Sequence, residues 1–129
     1  MMFYLNLYNM KLQNGLPIIQ VTLYSDDGKY EKAVSAVLST GNVVSRFRQC
    51  VLQQLQYENI VEIFPSQIRI SITGTDKSKF DKIIDVISHP DEDEYGWNYE
   101  CDVVIGLDIL KNSFFMINGQ TQDFSLQFE

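Results

Sequence analysis

The sequence predicts an all-β domain, and three observations carry that prediction. Apolar residues recur with a period of two in segment after segment. Turn-forming pairs, Asn14-Gly15, Asp27-Gly28 and Asn118-Gly119, fall between those segments. Only one stretch has a sustained helical period. Many short strands with one or two short helices predict a small closed barrel rather than a layered α/β fold. The 129 residues suffice for one domain with its own core, and no linker interrupts them, so a single domain over residues 1–129 is expected.

Phe3, Leu5 and Leu7 alternate with polar or aromatic neighbours and read as a first strand. Asn14-Gly15 suits the positive φ angles of a tight turn. Ile19, Val21 and Leu23 share one face of the next strand, and Asp27-Gly28 returns the chain into Ala33–Leu38. Val44, Phe47, Val51 and Leu55 then form one helical stripe, with Ser45 as the expected N-cap. Ile68, Ile70 and Ile72 alternate with Arg69, Ser71 and Thr73, and Gly74-Thr75-Asp76-Lys77 turns the chain into a partner strand carrying Phe80, Ile84 and Val86. Pro90 and the acids Asp91 to Glu94 predict a solvated loop. Val103-Val104-Ile105 reads as a short buried strand ending at Gly106, and Asp108 as the cap of a helical turn. Residues 114–128 form a last hairpin, with a type I′ turn expected at Asn118-Gly119.

Composition narrows the function. Net charge is −7 and no basic stripe is present, so phosphate-backbone binding is not expected. No apolar run of about 18 residues occurs, so no membrane span is expected. The first residues lack a basic region, so no signal peptide is expected. Cys50 and Cys101 fit neither a metal spacing nor a disulfide framework and read as reduced thiols of a cytoplasmic protein. The run Asp91-Glu92-Asp93-Glu94 lacks the spacing of a calcium loop. Neither a metal nor a cofactor is expected. Trp97 and Tyr99 read as aromatics packed on a sheet edge.

Pattern alone stops there, but two motifs go further. Val37-Leu38-Ser39-Thr40-Gly41 resembles the active-site strand of retropepsin-like aspartic peptidases, with serine at the position of the catalytic Asp. Asp102-Val103-Val104-Ile105-Gly106-Leu107-Asp108-Ile109-Leu110 resembles that family's second signature, a hydrophobic strand that passes beside the catalytic loop and ends in glycine. The order of elements over residues 16–129 is similar as well. The resemblance implies a closed acid-protease barrel that dimerises through an isologous interface, with one catalytic residue from each chain.

In that family two carboxylates share one proton, because two like charges so close cannot both ionise; one acts as acid and the other as base. By position, Ser39 stands at the catalytic site, Thr40 matches the threonine that braces the two loops, and Gly41 the glycine that lets the loop turn. The resemblance makes Gly74, Thr75, Asp76 and Lys77 the tip of a flap that closes over a peptide or protein substrate. It puts Val104, Ile105 and Gly106 beneath the catalytic loop. Asn42 departs from the family, which usually has Ala or Ser there. A serine hydroxyl cannot share a proton as a carboxyl pair does, so the resemblance implies an aspartic-type endopeptidase that is inactive as written. Two readings stay open: a peptidase silenced at one residue, and a natural pseudopeptidase that binds peptides or organises an assembly. Ser39 is not expected to be a serine-hydrolase nucleophile, since the only histidine, His89, stands beside Pro90 in a loop.

Overall fold

The computed structural model describes residues 9–25, 27–56, 67–86 and 101–129; among these, nine strands fall into two sheets, accompanied by two short helices. The expected strand at Phe3–Leu7, the acidic run Asp91–Glu94, His89, Trp97 and Tyr99 lie outside the described residues. The strands are β1 (Met10–Lys11), β2 (Ile18–Tyr24), β3 (Glu31–Leu38), β4 (Arg46–Phe47), β5 (Gln67–Thr73), β6 (Lys79–Asp85), β7 (Val103–Ile105), β8 (Ser113–Asn118) and β9 (Asp123–Phe128). The helices are α1 (Gln49–Gln56) and α2 (Leu107–Leu110). One sheet has the order β4-β7-β3-β2-β5-β6 and the other β1-β9-β8. The all-β class expected from the sequence is what the chain adopts.

Two of the expected turns form as the residues dictate. Asn14 and Gly15 both take positive φ, 53° and 78°, and Gln13 and Leu16 exchange backbone hydrogen bonds across them. Gly28 has φ 73° in the turn joining β2 to β3. The third differs. β8 and β9 are joined by a longer loop in which Asn118 Oδ1 accepts the N–H groups of Gln120 and Thr121, and the positive φ falls on Gln122. The Asn118 side chain satisfies the backbone there, so no type I′ pair is needed at Asn118-Gly119.

The helix also starts later than its apolar stripe predicts. Arg46 and Phe47 are extended and pair with Val104 and Val103 as β4. The Arg48 carbonyl accepts the first helical N–H groups, from Val51 and Leu52. Ser45 is therefore not a helix cap. Strand pairing to β7 wins over helical continuation because it buries Phe47 completely.

β3 and β7 pair in parallel, Ala36 with Val103, Val37 with Val104 and Leu38 with Ile105. All six side chains are buried, as a parallel pair covered on both faces requires. Ala36, Leu38, Val103 and Ile105 join the main core with Leu23, Ile70 and Leu126. Val37 and Val104 face the other way, into a smaller cluster with Ile18 and Cys101.

Candidate functional site

The parallel pairing sets the ends of β3 and β7 side by side, and the candidate site is built on those ends. Ser39 follows Leu38, and its N–H continues the ladder onto the Ile105 carbonyl at 2.8 Å. The loop after Ser39 then lies across the β7–α2 junction. Leu107 N–H donates to Asn42 O at 2.8 Å, and Asp108 N–H to Val43 O at 3.0 Å. Contact is so close that a Cβ on Gly106 would stand 2.7 Å from Asn42 O and 2.8 Å from Val44 O. Only glycine fits there.

Gly41 is a different case. A Cβ there would make an ordinary 3.7 Å contact with Ser39 Oγ, and its backbone is not left-handed. Within one chain nothing in the geometry requires glycine at 41, contrary to the steric role expected for it. Thr40 and Gly41 are both exposed, and Ser39 is half-buried.

A buried polar clamp secures the loop. Ser45 is fully buried. Its hydroxyl donates to Asp108 Oδ1 at 2.7 Å and accepts the Gly106 N–H at 3.0 Å. Its own N–H donates to Asp108 Oδ2 at 3.0 Å. Asp108 is thus not the helix cap expected from the sequence; Gly106 occupies that position, and the Asp108 carboxylate serves Ser45. Asn42 adds a direct contact, donating from Nδ2 to Ser39 Oγ at 2.8 Å. Val43, Val44 and Leu107 form an exposed apolar rim, Val43 being 75% accessible. Sequence reasoning missed the clamp and the rim. The available signal was Val43-Val44, a β-branched pair poorly suited to begin a helix.

The charge at the other end of β7 is neutralised locally. Asp102 meets Arg48 at 3.1 Å, and the Arg48 N–H donates to the Asp102 carbonyl. Cys101 is buried, and desolvation pushes its thiol above the usual range, so it remains a neutral thiol. Neither cysteine is in a disulfide. Among the described residues no group of three or more His, Cys, Asp or Glu could hold a metal ion. No helix among them is long and apolar enough to cross a membrane.

The sequence-predicted residues fall into two places. Ser39, Thr40 and Gly41 lie with Val104, Ile105 and Gly106. The turn Gly74–Lys77 is fastened elsewhere, on β9. Thr75 N–H donates to Leu126 O at 2.8 Å, Leu126 N–H to Thr75 Oγ1 at 2.9 Å, and Phe128 N–H to Ser78 Oγ at 2.8 Å. Gly74 is buried, and a Cβ there would meet Leu126 O at 2.5 Å. The Ser78 hydroxyl and N–H donate to Asp76 and hold its carboxyl below the usual carboxylate range.

No protein-family model matches the chain, and no curated protein matches it.

Proposed function

We propose that the chain is a retropepsin-like aspartic peptidase domain whose catalytic position carries serine, so that it retains the framework of a peptide-cutting site and, as written, does not cut. The observation that carries this reading is the parallel pairing of Leu38 with Ile105, which sets Ser39-Thr40-Gly41 beside Gly106. Two strands ending side by side suit a loop that presents one reactive side chain per chain. Exposure of Thr40 and Gly41 agrees with a loop that meets its twin across a homodimer axis. The two sheets are then parts of an acid-protease barrel, and an extended peptide is the substrate class. The turn Gly74–Lys77 would have to leave β9 to act as a flap. A cytoplasmic location, where thiols such as those of Cys50 and Cys101 stay reduced, belongs to this reading.

Catalysis needs the missing acid. General acid–base chemistry contributes about 10²- to 10⁴-fold to rate, and a hydroxyl pair supplies neither partner. The test is cleavage of a diverse peptide library by this protein and its Ser39→Asp variant from about pH 4 to pH 7. Cleavage by the variant alone, blocked by pepstatin, is the expected result. A folded, dimeric variant that cuts nothing overturns the reading.

A second reading is favoured by the Asn42–Ser39 hydrogen bond, which leaves a satisfied neutral pair at the centre. In it the domain is a non-catalytic module that takes up an extended peptide by main-chain hydrogen bonds. Saturable peptide binding by the serine form, with no turnover in either form, is its signature.

A further inference from the structure

Positions 39 and 42 are each tied by their backbone to the end of β7. Ser39 N–H donates to Ile105 O, and Asn42 O accepts from Leu107 N–H, both at 2.8 Å. Gly106 lies against Asn42 O too closely for any Cβ. The backbone at the two positions is therefore held in a fixed relation. Within that frame Asn42 Nδ2 donates to Ser39 Oγ at 2.8 Å.

We propose that Asn42 is a positioning residue for the side chain at position 39 and a second barrier to acid–base chemistry there: its amide would hold a carboxylate at that position in the ionised form. This rests on the reading of position 39 as the catalytic one. An amide N–H donates more strongly to an ionised carboxylate than to a neutral carboxyl. A proton-sharing pair needs one of its carboxyls neutral at the working pH. A donor fixed beside each carboxyl favours loss of that proton. Other charges around the loop are already engaged or belong to its supports. Asp108 on α2 is held by Ser45, Arg48 and Asp102 pair at the start of β7, and Arg46 stands on β4. Replacing Ser39 alone thus restores an acid whose proton-sharing range is displaced to lower pH, and replacing Asn42 as well removes that displacement.

The experiment is an NMR titration of the carboxyl introduced by Ser39→Asp, alone and combined with Asn42→Leu, which keeps bulk and removes the donor. The single variant should titrate roughly one pH unit lower than the double, the effect of one hydrogen bond to a charged group. Its cleavage optimum should lie to the acid side by a similar amount. Identical titrations overturn the proposal. Different titrations with no cleavage by either variant support Asn42's role and reject the peptidase reading. The native protein gives an independent measurement that needs no introduced acid. Ser39→Ala should speed exchange of the Asn42 side-chain amide by about tenfold, the loss of one hydrogen bond; unchanged exchange also overturns the proposal.

Discussion

Ser45 and Asp108 grip each other through two hydrogen bonds, one from the serine N–H at 3.0 Å and one from its hydroxyl at 2.7 Å. The same hydroxyl receives the Gly106 N–H, so one fully buried side chain joins loop, strand end and helix. Asp108→Ala strips both acceptors from Ser45 and leaves buried donors unpaired. A loss of roughly 2–3 kcal/mol in unfolding free energy is expected, read by urea denaturation. Asp108→Asn keeps one acceptor and should cost less.

Gly106→Ala and Gly41→Ala should separate cleanly. The first puts a methyl within 2.8 Å of fixed backbone atoms and is expected to destabilise the fold by about 1–3 kcal/mol or more. The second meets only Ser39 Oγ at 3.7 Å and should leave monomer stability nearly unchanged. Thermal unfolding of the two variants distinguishes them. If Gly41→Ala instead weakens association, the crowding at that residue comes from a second chain.

Thr75→Val removes a hydroxyl that both accepts from and donates to Leu126. The turn should loosen from β9, with amide exchange at Leu126 rising about fivefold to tenfold for a loss on the order of 1 kcal/mol. An unchanged rate at Leu126 would show that the backbone bond from Thr75 N–H suffices to hold the turn.

Asp76 contributes a pH dependence of defined sign. Its carboxyl is lowered from the ordinary 3.8, chiefly by the Ser78 hydroxyl, so the folded state binds the proton less tightly than the unfolded chain. The stability it adds is present above about pH 4 and is lost as the pH falls through the lower folded value. Asp76→Asn should flatten that acid limb and remove the ionised carboxyl's contribution to stability near pH 7. A steep limb that persists in the variant would assign it to other carboxylates, such as Asp81 beside Arg69.

The strands were legible because their patterns are local. Ile68, Ile70 and Ile72 alternate with polar residues, and all three are buried in β5. Ala36-Val37-Leu38 and Val103-Val104-Ile105 read as uninterrupted apolar runs, and each is covered on both faces. The residues around Ser45 were misread because a helical period and a short extended segment overlap from Val44 to Phe47. Only pairing with β7, distant in sequence, decides between them. The Ser45–Asp108 clamp spans 63 positions, and no local pattern encodes it. The partners of the Gly74–Lys77 turn escaped for the same reason: its composition announces a turn, while Leu126 and Phe128 determine where it docks.

The parallel joining of β3 to β7 also fixes when the loop at Ser39 can take shape. Leu38 and Ile105 must find each other across roughly 65 intervening residues, an entropic cost on the order of 4 kcal/mol before any contact between them is made. The hairpins β2–β3, β5–β6 and β8–β9 close over far shorter loops and are free to form early. The segment from Ser39 to Ser45 has no register of its own to hold it until β7 arrives. Its geometry is a product of that long-range closure, and a chain in which β3 and β7 have not met has no site even where its hairpins are formed.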